Sequence, residues 1–256
     1  MRPPIWIPFL ADGRWTARDL WDFVKPGREA KPDAAERNPS TPFAATPLER
    51  LEAALEARGQ ELHDLRGFPR DVHYDTREWG YFRKGTRDRN IPDRAKPYGK
   101  RTAAKTTAVC LHTTAVEMGW RRFLGTPVQV GVDKRGDVVL CHDVCTLVAH
   151  GHAANRFSVG VEISGHSTIL PEQAASARDV MRYVQAEVLR RRGLEGVNEL
   201  GRVAVMTHFN ATNERSLDDP GEKIWREVGN WAIDELGYVL GPVISTGRRV
   251  PGSWLT

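Results

Sequence analysis

The sequence predicts an α/β fold in which a mixed central β-sheet is flanked by helices, and three observations carry that expectation. From residue 106 onward, short β-prone apolar runs alternate with longer stretches of helical period. Two of those runs, 128–133 and 137–141, flank Lys134-Arg135-Gly136, the signature of a hairpin. In 158–164 the apolar Val159, Val161 and Ile163 alternate with small or polar residues, the period of a strand.

The remaining elements follow in order. Residues 107–113 form an apolar, β-prone run. Residues 171–192 read as a helix: Ala177, Val180, Met181, Val184 and Val188 share one face, and Arg190, Arg191 and Arg192 suit its C-terminal dipole. Residues 203–207 are a short buried strand. Residues 222–236 are a last helix, with Trp225, Val228, Ala232 and Leu236 on one side. Further upstream, 46–66 reads as one helix. Thr46 caps it, Pro47 fits the first helical position, Glu49 completes a capping box, and Leu48, Leu51, Leu55, Leu62 and Leu65 share a face.

Four zones result: an N-terminal extension and linker at 1–45, a helix and basic arm at 46–105, a main domain at 106–240 and a loop-like tail at 241–256. The extension is rich in Pro, Trp and charge. It holds one short amphipathic helix, with Leu20, Trp21, Phe23 and Val24, that ends before Pro26-Gly27. The arm is loop-like over 67–105. Between Arg83 and Lys105 it carries nine Lys or Arg against two acidic residues, with Tyr81, Phe82 and Tyr98 nearby. Such a mixture suits a nucleic-acid groove, but a solvated arm is the commoner use of a charge run, and nucleic acid is not the expected partner.

The 256 residues are 40% hydrophobic and 27% charged, with a formal net charge of +4. No apolar run is long enough for a transmembrane helix. The first eight residues hold three prolines and lack the apolar core of a signal peptide. Synthesis in the cytoplasm is expected, with any action outside the cell following lysis or injection. The three cysteines, Cys110, Cys141 and Cys145, are too few for a disulfide framework, and Cys110 and Cys141 read as buried thiols.

Three polar residues stand at the ends of predicted elements. His112 ends the first strand of the main domain, His208 ends a later one, and Asp219 follows after ten intervening residues. Strand ends open onto one rim of a sheet, where such residues converge. Two imidazoles and a carboxylate would give Zn²⁺ three protein ligands and leave a fourth position open, the arrangement of a catalytic site. By spacing alone, each His is more often a satisfied polar residue than a ligand.

The surrounding motifs add a resemblance. Val109-Cys110-Leu111-His112-Thr113-Thr114-Ala115 resembles the "V-I-H-H-T-A" strand of the zinc amidase and peptidoglycan-recognition family. Val132-Asp133-Lys134-Arg135-Gly136-Asp137 resembles that family's "I-D-r-d-G-t" hairpin. Val148-Ala149-His150-Gly151-His152-Ala153-Ala154-Asn155, with Phe157-Ser158-Val159-Gly160-Val161-Glu162, is similar to its "a-a-H-a-g…N…s-I-G-I-E" segment. His208 with Asp219-Pro220-Gly221 is similar to its "G-H-r-D…D-P-G" close, and Arg77-Glu78-Trp79-Gly80 faintly resembles a lead-in of the recognition proteins. The four main blocks keep the family's order.

The resemblance implies His112, His208 and Asp219 as zinc ligands, Asp219 being preferred over the adjacent Asp218. It implies Glu162 as the catalytic acid and base. His150 falls at a position lining the substrate groove, Asn155 serves either substrate or the turn before the Glu162 strand, and His152 is a surface residue. The implied activity is hydrolysis of the amide between N-acetylmuramic acid and L-alanine in peptidoglycan or muropeptides, the alternative being a non-catalytic peptidoglycan-binding module. Two departures stand out. Leu217 occupies the place of a Lys that stabilises the tetrahedral intermediate, for which Arg215 is a nearby substitute, and Thr113 replaces the second His of the pair. With the N-terminal extension, a phage lysin or an injected antibacterial effector is expected, docked to a phage or secretion-system component; a cytoplasmic recycling enzyme is the other context.

Overall fold

The computed structural model describes residues 45–68, 96–166, 168–194, 203–212, 217–244 and 246–255, with the backbone of 73–74 and 89–90. The extension helix and most of the basic arm lie outside these residues. The elements run α1 (Pro47–Glu56), β1 (Leu62–Asp64), β2 (His73–Tyr74), β3 (Arg89–Asn90), β4 (Gly99–Lys100), β5 (Ala108–Thr113), β6 (Val130–Val132), β7 (Val138–Leu140), β8 (Thr146–Leu147), β9 (Ser158–Ile163) and α2 (Pro171–Arg191). They continue with β10 (Ala204–Thr207), α3 (His208–Ala211), α4 and β11 (Val239–Leu240). Helix α4 begins at Glu222–Ile224, widens into a π-helical stretch at Trp225–Asn230 and closes with Trp231–Leu236.

Seven strands form one mixed sheet in the order β1-β7-β6-β9-β5-β10-β11. Strands β6, β9, β5, β10 and β11 run parallel, β7 is antiparallel to β6, and β1 is parallel to β7. The α/β class and the mixed sheet read from the sequence are those of the structure. The hairpin also forms, with Gly136 at φ +87° in its turn, a conformation that costs glycine nothing.

The two faces of the sheet differ, and the alternation within each strand makes them so. Val109 and Leu111 of β5, Val159, Val161 and Ile163 of β9, and Val203 and Val205 near β10 pack on α2 through Ala177, Val180, Met181, Val184 and Val188. Each fully buried side chain of this kind contributes about 1.5–3 kcal/mol. The opposite face carries Ala108, Cys110 and Met206 against Ala154 and Ala211. These smaller groups leave room for the polar residues at the strand ends.

Two expectations are corrected. The helix predicted over 46–66 stops at Glu56, although its Thr46–Glu49 capping box is present. Gly59, at φ +70°, turns the chain out of the helix, so Leu62 and Leu65 belong to the edge strand and its exit, and the Leu65 amide donates to the Leu140 carbonyl. The three-residue spacing of Leu62 and Leu65 fits a helix, but a left-handed glycine between them and Leu55 breaks it. The loop predicted over 67–105 contains short paired segments: β2 pairs with β3, and β4 with β8. Residues 239–240, at the end of the main domain, form β11, and within the tail predicted as loop-like residues 252–254 form a helical turn. No helix among the described residues is long and apolar enough to cross a membrane.

Candidate metal centre

Strands β5, β9 and β10 are parallel, so their C-terminal ends share one rim of the sheet, the usual place for a site in an α/β fold. His112 reaches that rim from β5. His208 is the first residue of α3, directly after β10, rather than the last residue of the strand. The Thr207 hydroxyl caps this short helix by accepting from the Asn210 amide at 3.2 Å, which fixes the two residues between them, His208 and Phe209. Asp219 comes from the following turn. Its Oδ1 accepts from the Thr113 amide at 3.1 Å, so the residue after His112 holds the carboxylate in place. Gly221, at φ +86°, turns the chain from Asp219-Pro220 into α4.

The three groups converge. Nδ1 of His112 lies 3.0 Å from Nδ1 of His208, which lies 2.8 Å from Oδ2 of Asp219, and Oδ1 of Asp219 is 3.9 Å from Nδ1 of His112. Asp218, the adjacent competitor, is not part of this group. The chemistry of the donor set fits a dication. A single proton on Nδ1 of His208 serves either Asp219 or His112 well, but not both, whereas one cation satisfies all three. Donor atoms around a tetrahedral zinc ion stand about 3.3 Å apart, given bonds of about 2.0–2.1 Å. The observed contacts are close to that spacing. Nε2 of His208 is buried without a hydrogen-bond partner among the described residues, so this ring meets its polar neighbours through Nδ1.

Beneath the rim the sequence Ser158-Val159-Gly160 makes room for His150. A Cβ on Gly160 would stand 2.7 Å from the His150 ring, so only glycine permits this packing. The resemblance implies a position lining the substrate groove for His150; the residue is 5% exposed and both ring nitrogens face protein groups. Nδ1 lies 3.1 Å from Nε2 of His112, and Nε2 lies 3.1 Å from the Ser158 carbonyl. Burial pushes the His150 pKa down to about 3, so the ring is neutral. Cys110, His112 and His150 form a second group with metal-binding atoms; all three are buried, whereas Asp219 of the first group is partly exposed. Burial, reinforced by the charges of Asp219 and Glu162, raises the Cys110 thiol well above its ordinary value and keeps its proton on.

Glu162 stands across from His112 in the β5–β9 register, on the face opposite Val161 and Ile163. It is half-buried at the rim. Asn155 is buried, and its Oδ1 accepts from the Gly151 amide across the turn that precedes β9. Arg215 lies outside the described residues. Leu217 is 38% exposed in the turn that carries Asp219. His152 is exposed, as the sequence suggested, yet its ring centroid is 6.3 Å from that of His208, and its backbone sits at φ +51°. Nothing in the local sequence signals this proximity, because it arises from the turn after β8. The three cysteines are buried and unbridged.

No family model matches the sequence, and neither does any curated protein. Among solved structures, the chain is similar to Drosophila peptidoglycan recognition protein PGRP-LB, at 14% identity over 66% of this chain and 94% of that one, with a TM-score of 0.43. It is similar to peptidoglycan recognition protein-LE in complex with tracheal cytotoxin, at 18% identity over 53% and 85%, TM-score 0.40. The N-acetylmuramoyl-L-alanine amidase LysC from Clostridium intestinale is a third, at 15% identity over 53% and 91%, TM-score 0.37. These neighbours are named as peptidoglycan recognition proteins and an N-acetylmuramoyl-L-alanine amidase.

Proposed function

We propose that the chain is a zinc-dependent amidase that hydrolyses the bond between N-acetylmuramic acid and the L-alanine of the stem peptide. The observation that carries this reading is the convergence of His112, His208 and Asp219 on the rim where Glu162 also stands. Peptidoglycan as substrate rests on the ordered motifs of the sequence.

His112, His208 and Asp219 would hold the metal. When bound, zinc supplies Lewis acidity that acidifies water and polarises an amide carbonyl. Glu162 takes the proton from the attacking water and delivers it to the leaving nitrogen of L-alanine, a role worth about 10²–10⁴ in rate. The Thr113 amide holds the Asp219 carboxylate in position throughout. With Leu217 in the place of a Lys, the exposed ring of His152, its centroid 6.3 Å from that of His208, is a candidate donor to the substrate carbonyl. Binding energy from the glycan and stem peptide would orient the amide over Glu162.

A second reading, a non-catalytic peptidoglycan-binding module, draws on Leu217. One experiment separates the two. Purified sacculi are incubated with the protein, with Glu162→Gln protein and with chelated protein, and the soluble products are weighed by mass spectrometry. Free stem peptides beginning with L-alanine are expected from the untreated protein alone. Sacculi bound but intact would favour the binding module, and cuts within glycan or peptide would refute the amidase reading.

A further inference from the structure

His150 performs no step in the scheme above, yet it is buried directly beneath a proposed ligand. Two acceptors face its Nε2. The Ser158 carbonyl lies at 3.1 Å and Ser158 Oγ at 3.4 Å, and the Oγ proton is already donated to the Ala154 carbonyl at 2.7 Å. Neither Ser158 atom has a proton to offer the ring, so Nε2 of His150 must carry one and donate. A neutral imidazole has only one such proton, which leaves Nδ1 of His150 as an acceptor. Its neighbour at 3.1 Å is Nε2 of His112, which must therefore carry the proton and donate. Nδ1 of His112 then presents its lone pair to His208 and Asp219.

We infer that His150 is a positioning residue that sets the tautomer of His112, and that Ser158 and Gly160 of β9 exist in their present form to hold it there. The inference rests on the metal-centre reading above. A backbone carbonyl at one end of the chain of two imidazoles fixes which nitrogen is available at the other. The usual arrangement has a carboxylate or carbonyl accepting directly from the ligand histidine; here a second histidine stands between them. Gly160 is required because the ring lies 2.7 Å from where a Cβ would be.

The test uses the full chain stripped of metal, with zinc alone as the probe. Long-range ¹H–¹⁵N correlation spectra of the metal-free protein report tautomers without any substitution. Both His112 and His150 are expected to carry their proton on Nε2. Zinc affinity is then measured against a chromophoric chelator for the wild type, His150→Phe and His150→Asn. The phenyl ring keeps the packing over Gly160 but accepts nothing, and a loss of about 10–100-fold is expected. The Asn Oδ1 falls where Nδ1 stood and restores most of the affinity. A proton on Nδ1 of His112, a Phe variant that binds zinc as the wild type does, or an Asn variant as weak as the Phe variant would each overturn the inference. If the wild type itself fails to bind zinc, the metal-centre reading falls first, whatever the tautomers show.

Discussion

His112 and Glu162 are direct partners on adjacent parallel strands, with their side chains on the same face of the sheet. Neighbouring strands stand about 4.8 Å apart, so the proposed base and the proposed ligand start from neighbouring backbone positions. Glu162→Gln keeps the shape and removes the proton acceptor. The variant is expected to bind zinc at full stoichiometry and to lose about 10²–10⁴ in turnover, as read by metal analysis and peptide release on one sample. Equal turnover in the two proteins would remove Glu162 from the chemistry.

Asp219 joins two functions, since it faces His208 and accepts from the Thr113 amide. Asp219→Ala is expected to abolish stoichiometric zinc binding. Asp218→Ala, changing the neighbouring carboxylate outside the cluster, is expected to leave it within about two-fold. Equilibrium dialysis with zinc checks both, and a reversed order would reassign the ligand.

Gly160→Ala adds one methyl group where the His150 ring already lies. Overpacking of this kind costs about 1–3 kcal/mol. Because the strained partner sits beneath His112, zinc affinity is expected to fall together with stability. Parallel thermal melts and zinc titrations would show whether the two losses coincide, and a melt lowered with unchanged affinity would uncouple β9 from the metal centre.

His63 sits on edge strand β1, stacked on Trp120 with ring centroids 4.3 Å apart. Burial lowers its pKa to about 4; the charge of Asp137 opposes this and that of Arg121 assists it. A depressed histidine favours the folded state only while neutral. Its contribution is therefore complete above about pH 6.5 and is lost as the pH falls towards 4, amounting to about 3 kcal/mol. Urea unfolding of chelated protein, followed by tryptophan fluorescence, is expected to show stability falling over that window. In His63→Phe the fall should be shallower, and an unchanged slope would contradict the assignment.

The convergence of His112, His208 and Asp219 was legible in the sequence because each sits inside a distinctive group of neighbours, and the face of Glu162 because β9 alternates. His150 was legible as a notable residue but not in its surroundings. Its deciding partner is the Ser158 carbonyl, and a backbone acceptor leaves no mark in residue identity. Leu62 and Leu65 misled because their spacing suits a helix, while the interruption lies in the φ of Gly59. His152 comes close to His208 only through the three-dimensional course of the turn after β8.

On the function proposed, cleavage depends on a metal held by His112, His208 and Asp219. Zinc is titrated into chelator-stripped protein while stem-peptide release from sacculi is followed. Release is predicted to rise from zero, to level off at one equivalent of zinc, and to be absent at every zinc concentration in Asp219→Ala. Release by the stripped protein before any zinc is added, or equal recovery in the variant, would contradict it.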